Sequence, residues 1–128
     1  MKYLCLAWEE EAVLDALSRE EWGVVRRETL DFVAELRESG QLLAAEPLQR
    51  ARNGVALRRR GGSLSVMDGP FTETKEQLGG IFLIEAADLN EAIQIASRWP
   101  PLGLSTVEVR PVDATLRTDR RYEEVGPP

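Results

Sequence analysis

An α+β fold, with two helices laid on one face of an antiparallel sheet, is predicted by three observations. Residues 2–8 and 79–86 are apolar on both alternating faces, the pattern of strands covered on both sides. The segments after Ser18 and after Asp88 carry apolar residues at helical spacing behind capping residues. A third kind of segment alternates with period two and is punctuated by glycine pairs. With 128 residues the chain is one domain's worth.

Each element follows from its own residues. In "KYLCLAW" (2–8), Tyr3, Cys5 and Ala7 lie one way and Leu4, Leu6 and Trp8 the other. "EEEAVLDAL" then suits a short turn of helix. Ser18 and Glu21 stand in capping-box spacing, and Trp22, Val25, Thr29, Phe32, Val33 and Leu36 recur on one helical face. Gly40 ends that helix. Thr29 is the polar member of the stripe, and its hydroxyl is expected to bond back to a carbonyl in the preceding turn. Residues 41–48 read as a short extended piece, demoted by Pro47.

In "GVALRRRGGSLSVM", Gly61-Gly62 predicts a two-residue hairpin that pairs Arg60 with Ser63, Arg58 with Ser65 and Leu57 with Val66. One face then carries Leu57, Arg59, Leu64 and Val66. The other carries Arg58, Arg60, Ser63 and Ser65 and should face water. The arginine run reads as a solvated edge that blunts unwanted sheet pairing, or as an anion-binding edge. Asp88 and Glu91 open the second helix, whose inner stripe is expected to be Leu89, Ala92, Ile93, Ala96 and Trp99, and Pro100-Pro101 stop it. In "STVEVRPV" (105–112), Val107 and Val109 point in, and Glu108 and Arg110 point out. Residues 113–128 have no sustained periodicity and read as a C-terminal tail, a candidate arm onto a partner.

The order β, α, β-hairpin, β, α, β is the ferredoxin-like plan with one additional strand in the middle. Two helices cover only one face of such a sheet. The doubly apolar strands therefore call for cover on the other face, and a second copy of the same sheet in a two-fold homodimer is the economical answer.

Composition excludes several kinds of function. The sequence contains no histidine, so Ser-His and Cys-His catalysis is excluded and acid–base work falls to Asp, Glu, Lys, Tyr or Cys. The single cysteine, Cys5, excludes an internal disulfide and a Cys-rich zinc site; in its apolar run it reads as a small buried hydrophobe. A net charge of −6 argues against direct nucleic-acid binding. No apolar run approaches the ~20 residues of a membrane span, and no signal peptide is visible, so a cytoplasmic protein without membrane attachment is expected. Glu9–Glu11 and Glu123-Glu124 lack other ligand types nearby, and no metal site or cofactor is expected. Trp8, Trp22 and Trp99 read as core or interface residues.

The most specific stretch is "MDGPFTETKEQLGG" (67–80). By strand parity Asp68 shares the side of Leu64 and Val66. The usual local remedy for such a carboxylate, accepting from the N–H two residues on, is closed because that residue is Pro70. Thr74 and Gln77 have capping-box spacing over one short turn, and Gly79-Gly80 permit close approach at the start of the buried strand. Asp68 is thus either a structural acceptor in a rigid loop or the polar anchor of a cleft.

The block "DGPFTETKEQLGGIFLIEAADLNEAIQIA" (68–96), with "MKYLCLAW" and "VEVRPV" as first and last strands, resembles the DGPF group of YCII-related proteins over roughly residues 1–112. The resemblance implies a ferredoxin-like fold and a dimer with back-to-back sheets, a dimeric α+β barrel. In the wider family a His on the first helix and an Asp suggest a catalytic dyad in an intersubunit pocket. Asp68 matches that Asp, whereas the His position falls near Thr29. Relatives found near or fused to sigma factors imply association with a transcription regulator.

Three functional readings follow. The first is a homodimeric small-molecule-binding protein with an intersubunit cleft. Asp68 anchors the ligand there, Phe71 forms a wall, Lys75 or Arg58 supplies counter-charge, and Thr29 is a further lining candidate. The second is an interaction module for a transcription regulator, which requires an exposed apolar patch. The third is a His-independent enzyme with Asp68 as general base.

Overall fold

The structure, a computed structural model, describes residues 1–114. The expected C-terminal tail, past Ala114, lies outside the described residues. Strand β1 (Lys2–Glu9) is followed by a short helix α1 (Glu11–Asp15) and the long helix α2 (Arg19–Glu38). Then come β2 (Leu42–Pro47), the hairpin β3 (Val55–Arg60) and β4 (Ser63–Asp68), β5 (Gln77–Glu85), α3 (Leu89–Ala96) and β6 (Ser105–Pro111). The main sheet runs β2-β5-β1-β6, all antiparallel, which is the ferredoxin-like order. No helix among the described residues is long and apolar enough to cross a membrane.

Helix α2 begins where the sequence predicts. Ser18 Oγ accepts from Glu21 N at 3.1 Å, and Glu21 Oε1 accepts from Ser18 N at 2.9 Å, completing the capping box. The Ser18 N–H, helped by the Ser18 hydroxyl, holds the Glu21 carboxyl below its usual range. Ser18→Ala should lower stability by about 1 kcal/mol; urea denaturation showing no change would mean that packing alone sets the helix start. Thr29 Oγ1 donates to Val25 O at 2.7 Å, as the stripe requires.

The core forms where α2 and α3 meet one face of the sheet. Phe32 and Leu36 from α2 and Ala92, Ile95 and Ala96 from α3 pack on Tyr3, Cys5, Phe82 and Ile84. Trp99, just after α3, stacks on Phe82 with centroids 4.9 Å apart, and Phe32 meets both rings edge-on. Burial pushes the Cys5 thiol up to about 12, which keeps it an unreactive thiol.

Two expectations are corrected. The inner stripe of α3 is rotated: Ile95 is buried, whereas Leu89 and Ile93 are about half exposed, at 47% and 50%. In so short a helix Ala92, Ile95, Ala96 and Trp99 already fill the face above Phe82, and Leu89 and Ile93 are left on its flank. The glycine-turn hairpin also adds no strand to the main sheet. β3 and β4 form a two-stranded sheet of their own, while residues 42–47 supply the true edge strand. Pro47 closes β2 with no N–H to offer, and the Arg58–Arg60 run keeps β3 hydrated.

The other face of the sheet is apolar at its centre. Leu4 pairs with Leu83 and Leu6 with Ile81, with Trp8 beyond them. All five are only partly buried, because both main helices send their buried residues to the opposite side. Trp8 Nε1 donates to Glu108 Oε1 at 3.0 Å across this face.

Candidate functional site

Hairpin register places the candidate residues. Val55 pairs with Asp68, Leu57 with Val66, Arg58 with Ser65 and Arg60 with Ser63, around Gly61 and Gly62 at φ 54° and 81°. Two consecutive positive φ angles are the geometry of the tight hairpin turn that glycine favours. Val55, Leu57, Arg59, Leu64, Val66 and Asp68 therefore share one side of the hairpin. The Asp68 carboxylate is exposed and has no hydrogen-bond or ion-pair partner among the described residues. The chain then turns sharply at Gly69, whose N–H donates to Gly54 O at 2.8 Å.

Arg58 and Phe71 come together. The guanidinium carbon lies 5.7 Å from the ring centroid, a cation–π contact, although the ring itself is 66% exposed. Lys75 instead reaches Glu10, at 3.4 Å. The expected cap at Thr74 forms no helix. Gln77 Nε2 donates to Thr72 O at 2.9 Å and to Thr74 O at 3.2 Å, which closes the loop on itself.

Beside this loop lies an open hollow of about 260 Å³. Its walls come from three separated segments: Glu11 and Ala12, Ala51 and Arg52, and Pro70 with Glu73–Lys75 and Gln77. Glu11 Oε1 accepts from Ala51 N at 3.1 Å, and Arg50 pairs with Asp15, so the second segment is pinned to α1. Asp68, Phe71, Arg58 and Thr29 lie outside this lining. No group of three His, Cys, Asp or Glu side chains among the described residues could hold a metal ion.

Residues 1–115 match the YCII-related domain. The chain belongs to the YCII-related family. It is 39% identical over 114 residues to an uncharacterized protein of Rhizobium meliloti (strain 1021), an overlap of 88% of this chain and 92% of that one. Family membership accords with the ferredoxin-like sheet order and brings no assigned reaction.

In this YCII-related chain the least expected feature is Glu9. It ends β1 opposite Gln77, and its carboxylate occupies the space above Gly79 where a side chain would begin. Only glycine leaves that room. The sequence reads Glu9–Glu11 as a plain carboxylate run, because only the β1–β5 register reveals that Glu9 lies over Gly79.

Burial lifts the Glu9 carboxyl above the ordinary 4.5, with Arg50 pulling it partly back and Glu11 adding to the rise. A lifted acid is neutral in both folded and unfolded chains at low pH, and above that range its charge is disfavoured only in the fold. Wild type should therefore lose stability relative to Glu9→Gln as pH rises from about 4 through the lifted value, with the gap constant beyond it. Melting temperatures of both proteins across pH check this, and a pH-independent gap would contradict it.

Proposed function

We propose that this YCII-related protein is a homodimer that binds a small polar molecule in a cleft beside the Asp68–Phe71 loop. The observation that carries the reading is the convergence of Glu11, Arg52, Thr74, Lys75 and Gln77 on one hollow against that loop. Concave sites with a few convergent polar groups are the usual form of small-ligand sites. Mixed charge on the walls suits a ligand that bears both donor and acceptor groups. Asp68 is not part of that lining; with no partner among the described residues it is open to a ligand that extends beyond the hollow. Arg58 holds Phe71 outside that hollow, and Lys75, on its wall, sits close enough to Glu10 to exchange it for an anion. Thr29 has spent its proton on Val25 O and can offer a ligand only its lone pairs.

The half-covered apolar sheet face supports the dimer: Leu4, Leu6, Trp8, Ile81 and Leu83 form a continuous strip. A second reading, a docking module for a transcription regulator, draws on the exposed aliphatic residues of the hairpin.

Thermal-shift screening against a metabolite library tests the cleft, with wild type, Asp68→Asn and Lys75→Gln side by side. A compound that raises the melting temperature of wild type but not of the variants supports it, because a ligand selective for the folded state stabilises by mass action. A screen in which no compound stabilises wild type, or in which every compound acts equally on all three proteins, overturns it.

A further inference from the structure

Arginines and hydroxyls share one side of the β3–β4 hairpin. Arg58 stands opposite Ser65 and Arg60 opposite Ser63 in the ladder, with Met67 farther along the same side. An acid is the stabilising partner across from an arginine in a sheet. Here both opposite positions carry a short hydroxyl instead, in a chain whose net charge is −6. Neither guanidinium forms an ion pair or donates a hydrogen bond among the described residues, and neither serine hydroxyl is bonded among them. Arg59 differs: it lies on the other side of the hairpin and donates to Gly62 O at 3.3 Å.

The short serines leave space. Arg58, Arg60, Ser63, Leu64, Ser65 and Met67 line a second hollow, of about 270 Å³, which shares no lining residue with the one beside α1. Phe71 steadies Arg58 through the cation–π contact at 5.7 Å. Such a contact consumes no N–H, so the donors of Arg58 stay available. Two cations spaced ~7 Å apart along a strand repel each other, and an anion that reaches both relieves the repulsion.

The donor set indicates which anion. Guanidinium forks match the oxygens of carboxylates and phosphates. Two cations without a neutralising acid favour a dianion, and two further hydroxyl donors suit a group with more than two oxygens. A phosphate monoester meets both conditions, with a charge of about −1.5 to −2 at pH 7 and three acceptor oxygens. Leu64 and Met67 offer apolar surface to its organic part.

We infer that the Arg58–Arg60–Ser63–Ser65 side of the hairpin binds the phosphate group of a small phosphate monoester. This site is separate from the cleft beside the Asp68–Phe71 loop and needs neither Asp68 nor a second copy of the chain.

Phenyl phosphate, titrated at fixed ionic strength and neutral pH, is the probe, with arginine Nε–H and backbone amide signals followed by NMR. Wild type should saturate with a dissociation constant of about 1 mM or below. The shifts should centre on Arg58, Arg60, Ser63 and Ser65. Arg58→Gln and Arg60→Gln should each weaken binding by about tenfold. Arg59→Gln removes the same charge from the other side and should change affinity by less than about twofold. All three arginines are exposed, so the variants should melt with wild type. A linear, unsaturated response in wild type overturns the site. Equal weakening by all three substitutions overturns it too, because net charge alone then accounts for the binding. Benzoate bound as tightly as phenyl phosphate would reduce the site to an unselective anion edge. A short single-stranded DNA bound more tightly than phenyl phosphate would assign the arginines to nucleic acid instead.

Discussion

Phe82→Ala should destabilise the protein by about 3–5 kcal/mol. Phe82 is 2% exposed at the centre of β5, with Cys5 on one neighbouring strand and Ala45 on the other. Its ring is stacked on Trp99 and met edge-on by Phe32 at 6.1 Å, so truncation removes two aromatic contacts along with the buried area. The backbone of β5 is fixed by hydrogen-bonded neighbours on both sides and cannot collapse into the void. Domains of this size hold only about 5–15 kcal/mol in total, so this one side chain accounts for a large share. Urea denaturation measures the loss, and Phe82→Leu should cost clearly less because much of the volume is kept. A cost below about 1 kcal/mol for the alanine variant would mean that the aromatic cluster repacks freely.

Leu6→Asp should separate the proposed dimer with little change in the melting of the monomer. Leu6 lies mid-strand on the half-covered face, opposite Ile81 and Glu108. An aspartate there puts a charge into the apolar strip and a second negative charge beside Glu108. Central interface positions commonly contribute 2 kcal/mol or more, and a desolvated charge adds to that, so the dissociation constant should rise by about 100-fold. The core on the opposite side loses no contact, since Tyr3, Cys5 and Ala7 face the helices and Leu6 does not. Sedimentation velocity over a concentration series reads the change. Equal sedimentation of wild type and variant would sink the sheet-face dimer.

Much of this fold is legible from local chemistry. The hairpin register follows from Gly61-Gly62, because a two-residue turn leaves only one pairing. The start of α2 follows from Ser18 and Glu21, and Thr29 bonds back as its place on an apolar stripe demands. Asp88 accepts from Glu91 N at 2.8 Å as expected, yet the Glu91 carboxylate is taken by Gln41 at 3.1 Å, a partner fifty residues away that no local rule anticipates. The same limit explains the rest. Whether the hairpin joins the main sheet, which side of α3 is buried, and what lies over Gly79 all depend on how distant segments register. Of the candidate site, the loop residues were visible as a motif. Glu11, Arg52 and the hollow they share with Lys75 were not, because three stretches spread between Glu11 and Gln77 build it.

The carboxylate of Glu9 over Gly79 has a consequence for how this chain can change over time. Positions 9 and 79 are filled by one side chain between them. Gly79→Ala made alone must displace that carboxylate, whereas the same change after Glu9→Ala no longer meets it. The two substitutions are therefore order-dependent, and the double variant should be more stable than the effects of the single ones predict when added. Among related chains, a residue larger than glycine at position 79 should be accompanied by a short one at position 9, a pairing of sites seventy positions apart that no local motif contains.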